Sequence, residues 1–199
     1  MRQILTDYRG KSILISGAGG YLASNLIHLL RNVQCTIIRL TGRSELFSVE
    51  GKAVIKDIHG NVSRMETWEQ ALKGVDIVFH FAAQTSVYEA ERNPQTDFEI
   101  NVLPILHLLE VCRSVRVHPT VLFSSTVTIS GIPKRLPVDE THSDNPETVY
   151  DLHKLMAEQY LTYYINQGIV RGAALRLANV YGPGPKSSRS DRGILNQTL

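Results

Sequence analysis

The sequence predicts a doubly wound α/β fold, in which helices cover both faces of a parallel sheet. Short apolar runs alternate with amphipathic segments along the chain, which is the pattern of strands and helices in turn. The runs are apolar at successive positions, and this is typical of strands that are buried on both faces. Strands of this kind are joined by right-handed helical crossovers, so the pattern indicates a sheet with helices on either side.

Six runs are the predicted strands, because their side chains are largely aliphatic or β-branched. In chain order they cover residues 12–15, 36–38, 53–55, 75–79, 120–123 and 173–177. The main predicted helices cover residues 20–31, 63–72, 95–115 and 146–167. Ser63 and Glu66 have capping-box spacing at the start of the second helix, and Pro104 should kink or interrupt the third.

Composition and charge exclude several classes of protein. The 199 residues are 43% hydrophobic and 20% charged, with a formal net charge of +2, so nothing indicates a nucleic-acid or membrane partner. Cys35 and Cys112 lie in apolar runs and are expected to be buried reduced thiols, which fits a cytoplasmic protein. Charged residues interrupt the N-terminal stretch, so no signal peptide is expected. The histidines and cysteines lack metal-ligand spacing, and no metal is expected.

A glycine-rich turn follows the first predicted strand and opens the first predicted helix. It reads Gly17-Ala18-Gly19-Gly20-Tyr21-Leu22-Ala23. Gly17 permits a tight turn, and Gly20 lets the backbone approach a pyrophosphate at the helix N-terminus. Ala23 is small enough for the helix to pack closely on the strand. This context predicts a Rossmann-type dinucleotide-binding domain.

The end of the second strand indicates which dinucleotide is bound. An acidic residue there normally binds the ribose 2′-hydroxyl of NAD, but residues 38–43 contain none. Arg39 and Arg43 could instead pair with a 2′-phosphate, because a guanidinium matches phosphate geometry. The expected cofactor is therefore NADP or NAD, with NADP favoured, and the alternative is that both arginines are solvated surface residues.

A tyrosine and a lysine four residues apart form the candidate reactive pair. Tyr150 and Lys154 lie on one face of the last predicted long helix. A nearby ammonium lowers the pKa of a phenol from about 10, so such a tyrosine can act as a general acid or base. Ser124, Ser125 and Thr126 end the fifth strand, at the edge where open α/β sheets bind ligands. A hydroxyl there could hydrogen-bond a substrate carbonyl or simply cap the strand end.

Taken in order, these motifs identify the chain as similar to the extended short-chain dehydrogenase/reductase family, the nucleotide-sugar epimerases, dehydratases and reductases. The resemblance covers nearly the whole chain. Besides the glycine turn and the Tyr150–Lys154 pair, it rests on Asp57-Ile58, His80-Phe81-Ala82-Ala83, Asn93-Pro94, Asn101-Val102, Ser124-Ser125-Thr126, Pro137-Val138-Asp139-Glu140 and Arg176-Leu177-Ala178-Asn179-Val180-Tyr181-Gly182-Pro183-Gly184. Each segment is short, and their joint order and spacing make the resemblance specific.

The resemblance implies a role for each matching residue. Tyr150 is the implied acid/base, and Lys154 holds the nicotinamide ribose and tunes Tyr150. Thr126, five residues before Gly131, orients the substrate oxygen. The predicted cofactor-binding residues are Gly17, Gly19, Gly20, Tyr21, Leu22, Arg39, Arg43, Asp57, Ile58, Phe81, Ala82, Ala83, Asn101, Ser124, Tyr150, Lys154, Asn179 and Pro183. The predicted substrate-binding residues are Gln84, Ser86, Thr126 and Asn179.

Three departures from the family pattern bear on the implied function. Ser130 stands where the strand-five motif usually has an aromatic residue, so a substrate-side tyrosine is missing. Pro104 replaces the residue that the family usually has in the long helix. That helix and the Tyr150 helix often build the family's dimer. Dehydratases carry Thr-Asp-Glu after the strand-five serines, whereas this chain has Thr126-Val127-Thr128. The missing carboxyl groups argue against dehydration, which needs additional acid/base groups.

The expected organisation is an NAD(P)-binding Rossmann domain over residues 1–181 and the start of a substrate-binding region at 182–199. Family members continue for roughly another hundred residues, so this truncated C-terminal lobe is expected to be largely absent. The expected function is a nucleotide-sugar 4-epimerase or ketoreductase that works by hydride transfer as a homodimer, formed through the Asn101 and Tyr150 helices. A non-catalytic dinucleotide-binding module or sensor and a nucleotide-sugar dehydratase are the alternatives.

Overall fold

Strands and helices alternate along the chain, as the sequence predicts. The computed structural model describes residues 5–42 and 46–182. The strands within these residues are β1 (Ser12–Ser16), β2 (Thr36–Thr41), β3 (Val54–His59), β4 (Ile77–His80), β5 (Thr120–Thr126) and β6 (Arg171–Leu177). They form one parallel sheet in the spatial order β3-β2-β1-β4-β5-β6. This is the order of doubly wound dinucleotide-binding sheets, so the predicted fold class is confirmed.

Helices cover both faces of this sheet. They are α1 (Tyr21–Leu30), α2 (Met65–Ala71), α3 (Val87–Arg92), α4 (Pro94–Asn101), α5 (Leu103–Val115) and α6 (Val149–Asn166), with a 3-10 turn at Val127–Ser130. In the part of the chain that the structure describes, no helix is both long enough and apolar enough to cross a bilayer.

Alternate side chains of β1 enter two separate hydrophobic cores. Ile13 and Ile15 are fully buried in the cluster that packs α1 on the sheet, whereas Leu14 lies in a larger cluster with α2, α5 and α6. Each such side chain contributes roughly 1.5–3 kcal/mol when it leaves water. Cys35 belongs to the first cluster and Cys112 to the second, and burial raises the pKa of both thiols. Both cysteines are free and buried, as predicted.

The long helix predicted over residues 95–115 is interrupted, as Pro104 suggests. α4 ends at Asn101 and α5 begins at Leu103, because the proline ring clashes with the preceding turn and has no N–H to donate. Pro104 lies in the first turn of α5, where an amide has no partner inside the helix, so its missing N–H costs little. The N–H of Val102 still bonds back into α4 at 2.9 Å, and the break is therefore one residue wide.

The start of α2 differs from the prediction. The helix begins at Met65, and Ser63 does not cap it. The Ser63 hydroxyl instead donates to the main-chain oxygen of Glu99 at 2.6 Å, and the Ser63 N–H donates to the Asn61 side chain at 2.9 Å. The predicted capping box is wrong because an Asn-centred turn and a tertiary hydrogen bond take the same groups.

Gly17 allows the turn after β1 to touch the segment after β4. Its φ is +66°, in the left-handed region. A Cβ atom at this position would lie 2.8 Å from the backbone nitrogen of Ala82, which is closer than a side chain tolerates. Any other residue would therefore push the two segments apart.

Gly17→Ala should destabilise the chain by about 2 kcal/mol or more, because a backbone clash adds to the cost of left-handed backbone. Gly74→Ala is the matched control, since Gly74 has a φ of +67° but open space around its Cβ position. Urea denaturation, followed by the fluorescence of the single tryptophan, measures both variants. Equal losses of stability in the two variants would contradict the close approach.

Candidate functional site

A cleft opens at the carboxyl edge of the sheet, where the strand order reverses between β1 and β4. Its volume is about 460 Å³. The lining residues come from the turn after β1 and from the ends of β2, β3 and β4: Gly17, Leu40, Thr41, Gly42, Gly60, Asn61, Val62 and Ala82. Doubly wound sheets bind dinucleotides at this position. Of the predicted cofactor-binding residues, Gly17 and Ala82 line the cleft directly.

The glycine turn presents an uncapped helix N-terminus beside this cleft. Gly20 is the N-cap of α1 and has no side chain to bond the first-turn amides. The Gly20 N–H donates to the Gly17 oxygen at 2.7 Å, which closes the turn. Ala23 is fully buried. The partly exposed residues of the turn are Gly17, Gly19, Tyr21 and Leu22. First-turn amides and a backbone cradle that excludes any Cβ suit a pyrophosphate.

The Ser16 hydroxyl ties the segment after β4 to the end of β1. Its oxygen accepts the N–H groups of Phe81 and Ala82, both at 3.1 Å, and lies 2.7 Å from Nδ1 of His80. Because both lone pairs of the hydroxyl oxygen accept these N–H groups, Ser16 donates its one hydrogen to Nδ1, and the neutral imidazole carries its proton on Nε2. Burial and the nearby charge of Lys154 lower the pKa of His80 to about 3, so the ring stays neutral.

The Arg39 guanidinium, predicted to pair with a 2′-phosphate, is bound by Asp57 in the neighbouring strand. Nε and Nη2 donate to the two carboxylate oxygens at 2.7 and 2.8 Å, and Nη1 donates to the Phe47 carbonyl at 2.6 Å. The Arg39 side chain is 6% exposed, and its guanidinium also lies over the Phe47 ring. Asp57 therefore occupies the Nε and Nη2 donors that would bind a phosphate in a bidentate contact. Arg43 lies outside the described residues.

The segment after β3 lines the cleft, although the sequence did not indicate it. Gly60, Asn61 and Val62 follow the strand in order. The main-chain oxygen of Val62 accepts the indole N–H of Trp68 at 2.7 Å, which fixes this segment against α2. The only sequence signal for these residues was their position just after a predicted strand, and every loop at this edge of the sheet has the same signal. The predicted residue Ile58 is half-buried and packs against the larger core.

Lys154 is 2% exposed, although burial of its charge is costly. Its Nζ lies 4.2 Å from the centre of the Phe123 ring, in a cation–π contact beside β5. Burial lowers the pKa of Lys154 to about 7, while the charges of Glu158 and Asp97 oppose the shift. Tyr150 is partly buried one helical turn earlier, so α6 places both predicted residues on one face.

Thr126, the last residue of β5, is bonded to side chains that reach α6. Its hydroxyl lies 2.7 Å from the hydroxyl of Thr128, which donates to Asp151. The hydroxyl of Thr148 donates to the second carboxylate oxygen of Asp151 at 2.6 Å. These bonds hold the end of β5 against the first turn of α6. The structure therefore brings Thr126, Tyr150 and Lys154 to one junction between strand and helix.

Gln84 and Ser86, predicted to bind substrate, make bonds that hold the segment after β4 in place. Gln84 Nε2 donates to the Ser86 oxygen at 2.7 Å and to Asp97 at 2.8 Å. The Ser86 hydroxyl caps α3 by accepting the Glu89 N–H. Asn101 bonds both main-chain groups of Gln84 and donates to Asp97 at 2.9 Å. Since Asn101 is 2% exposed, its bonds here are structural.

Asp97 also connects α4 to α6, a link that the sequence did not indicate. Its Oδ2 lies 2.7 Å from Nδ1 of His153, and both side chains are largely buried. The His153 ring meets the edge of Phe98 at 5.6 Å between centroids. Across residues 5–42 and 46–182, no group of three or more His, Cys, Asp or Glu could hold a metal ion.

The remaining predicted residues lie around these two regions. The Ser124 hydroxyl donates to the His80 oxygen at 3.2 Å, so it holds β5 to β4. Ala83 is partly exposed in the segment after β4, and Asn179 is exposed after β6. Pro183 lies outside the described residues. The homodimer and the domain boundary stay predictions.

Comparison with known sequences places this site in a family. Residues 13–199 match the NAD dependent epimerase/dehydratase family. The chain is 33% identical over 190 residues to a protein described as a UDP-glucose 4-epimerase in Methanocaldococcus jannaschii, covering 92% of this chain and 60% of that protein. It is 30% identical over 176 residues to a UDP-glucose 4-epimerase of Mycolicibacterium smegmatis, covering 85% of this chain and 56% of that protein.

Solved structures agree with the sequence matches. An epimerase from Methanothermobacter thermautotrophicus has a TM-score of 0.87 at 28% identity, covering 98% of this chain and 59% of that one. A UDP-glucose 4-epimerase from Thermotoga maritima, solved with UDP-glucose, has a TM-score of 0.82 at 26% identity, covering 94% and 61%. This chain thus spans about three-fifths of the length of these relatives. The chain belongs to the NAD-dependent epimerase/dehydratase family, which confirms the resemblance drawn from its motifs.

Proposed function

We propose that the chain carries the cofactor-binding and catalytic residues of an NAD-dependent UDP-sugar 4-epimerase. The observation that carries this proposal is the buried ammonium of Lys154, one helical turn from Tyr150 and beside the end of β5. Relatives that are UDP-glucose 4-epimerases support the substrate class. A UDP-glucose 4-epimerase from Brucella ovis solved with NAD, at 26% identity and a TM-score of 0.75 over 84% of this chain and 51% of that one, supports the cofactor.

Burial of Lys154 opposes folding, so chemistry explains its position better than packing does. A pKa lowered from 10.5 to about 7 corresponds to a few kcal/mol of lost stability, at about 1.4 kcal/mol per unit. An apolar side chain of similar length would pack in the same space without that loss. A module that only binds a dinucleotide could use this ammonium for a ribose contact but has no need of Tyr150 beside it. An ammonium kept buried at a ligand-binding edge indicates a functional group.

In the proposed reaction the side chains move one proton. NAD, when bound, would supply the hydride-transfer chemistry at the carbon that bears the sugar 4-hydroxyl. Tyr150 takes the hydroxyl proton as a phenolate and gives it back as a phenol. Lys154 stabilises the phenolate and donates to the ribose of the cofactor. Thr126 contacts the reacting oxygen and holds it beside Tyr150.

NAD, rather than NADP, is the proposed cofactor. Arg39 uses three of its five N–H groups on Asp57 and Phe47, and its side chain is 6% exposed, so a 2′-phosphate could take the paired Nε and Nη2 donors only by displacing Asp57. A 4-epimerase also returns its hydride and needs no supply of reduced NADP. The arginines at the end of β2 favoured NADP in the sequence, and the bonds of Arg39 remove one of the two from that argument.

Tyr150→Phe should lower the interconversion of UDP-glucose and its 4-epimer by about 100-fold or more, because acid–base catalysis contributes that much. NAD affinity, measured by calorimetry, should change little, since the ring keeps its packing. Tyr163→Phe is the matched control, because Tyr163 lies on the same helix and is 59% exposed. Turnover is read by chromatography of the two nucleotides. Full turnover in Tyr150→Phe would overturn the proposal.

Lys154→Met should make the chain more stable than wild type below about pH 7, and the difference should shrink as the pH rises toward 10. Lysine titrates near 10.4 when unfolded and Lys154 near 7 when folded, so between these values the unfolded state binds more protons. Wild-type stability therefore rises there with pH, by up to about 1.4 kcal/mol per unit.

Urea denaturation of both proteins across this pH range measures the effect. Lys73→Met is the control, because Lys73 is exposed and should show a constant difference from wild type. A difference that does not depend on pH in Lys154→Met contradicts the buried ammonium.

The chain should bind NAD at least about tenfold more tightly than NADP, a difference of about 1.4 kcal/mol in binding free energy. Arg39→Met should weaken both cofactors about equally, since it releases Asp57 and removes no phosphate contact. Calorimetric titration of each cofactor measures the affinities, and Arg43→Met tests the second arginine. Selective loss of NADP affinity in either variant would show a 2′-phosphate contact and argue against NAD.

A further inference from the structure

A continuous chain of hydroxyl groups links Thr126 to a buried carboxylate on α6. The Oγ1 atoms of Thr126 and Thr128 are 2.7 Å apart, and Thr128 Oγ1 bonds Oδ1 of Asp151. Oδ2 of Asp151 accepts the hydroxyl of Thr148 at 2.6 Å. Asp151 is 4% exposed, so these two threonine hydroxyls supply hydrogen bonds that water would give to an exposed carboxylate.

The number of hydroxyl hydrogens fixes which group donates and which accepts in each of these hydrogen bonds. A carboxylate only accepts, so Thr128 and Thr148 both donate to Asp151. Thr128 has thereby used its single hydroxyl hydrogen and must accept in its contact with Thr126. The hydroxyl hydrogen of Thr126 therefore points at Thr128. Oγ1 of Thr126 accepts the Thr128 N–H at 3.3 Å and keeps one further lone pair.

Helix capping accounts for only part of this arrangement. Thr148 caps α6 by accepting the Asp151 N–H at 3.2 Å, and the return bond from its hydroxyl belongs to the same local motif. The bond from Thr128 joins residues 23 positions apart, and it contributes nothing to the cap. Asp151 therefore has a second role, which acts on Thr126.

We propose that Asp151 is a positioning residue that acts through Thr128 to make Thr126 a hydrogen-bond acceptor toward the reacting group. The proposal rests on the proposed function, in which Thr126 faces Tyr150 and the sugar oxygen. An acceptor at this position favours a partner that carries a hydrogen, namely the protonated phenol of Tyr150, because the one hydrogen of the sugar 4-hydroxyl is donated to the phenolate. It gives no hydrogen bond to a phenolate or a ketone, so stabilisation of the phenolate falls to Lys154.

Thr128→Val removes the hydroxyl that links Thr126 to Asp151, and it changes no charge. The Thr126 hydrogen can then bond the Tyr150 phenolate, so Tyr150 should ionise about half to one pH unit lower, the effect of one hydrogen bond. The measurement is an NMR titration of the substrate-free chain with tyrosine labelled at Cζ with carbon-13. Tyr150→Phe identifies the Tyr150 resonance among the eight tyrosines.

Matched variants separate this role from a structural one. Thr128→Ser restores the hydroxyl and should restore the wild-type midpoint. Thr148→Val removes the other threonine partner of the same carboxylate, so it should lower stability and leave the midpoint of Tyr150 unchanged.

Two results would overturn the proposal: a Thr128→Val midpoint at or above that of wild type, or an equal shift in Thr148→Val. The titration uses no substrate, so its outcome is separate from that of the proposed function. Full UDP-sugar turnover in Tyr150→Phe refutes the proposed reaction and leaves the titration readable. An active enzyme in which Thr128→Val does not lower the midpoint refutes only the role of Asp151.

Discussion

The contact between the end of β1 and the segment after β4 sets the shape of the cofactor cleft. Gly17 lies against that segment without room for a side chain, and the Ser16 hydroxyl accepts two of its main-chain N–H groups. The same hydroxyl donates to His80, whose ring stacks on Phe123 at 5.8 Å. Phe123 in turn carries the ammonium of Lys154. Two adjacent residues of β1 and its turn thus connect the glycine turn to Lys154 through buried groups.

Local pattern was sufficient to predict the sheet, the interruption of the long helix and the glycine turn. Each depends on one residue type or one run: strands buried on both faces have to be continuously apolar, and Pro104 cannot continue a helix whatever surrounds it. Prediction failed at Ser63, where two folded-state bonds to Asn61 and Glu99 replace the expected cap. Neither partner is visible to a rule that reads three or four neighbouring residues.

The candidate site also has features that local sequence predicts and features that only the packed fold determines. Tyr150 and Lys154 could be predicted because one helical turn separates them in any helix, but the burial of Lys154 is a property of the packed fold. The ion pair between Arg39 and Asp57 spans 18 residues, and it forms because β2 and β3 place them side by side. Charge and residue type alone favoured a phosphate for Arg39, since nothing local shows that a carboxylate is already bound to it.

The one-residue break between α4 and α5 at Val102 affects which substitutions this protein can accept during evolution. α5 presents a buried apolar stripe to the larger core, whereas α4 presents Asp97 and Asn101 to the segment after β4 and to α6. In one continuous helix, the 3.6-residue repeat would fix the angle around the helix axis between Asp97 and Asn101 on one side and the apolar stripe on the other. Because the helix is broken, the core can be repacked without turning the polar pair out of place. Substitutions in the hydrophobic interior and in the bonds that hold the segment after β4 can therefore be accepted independently during evolution.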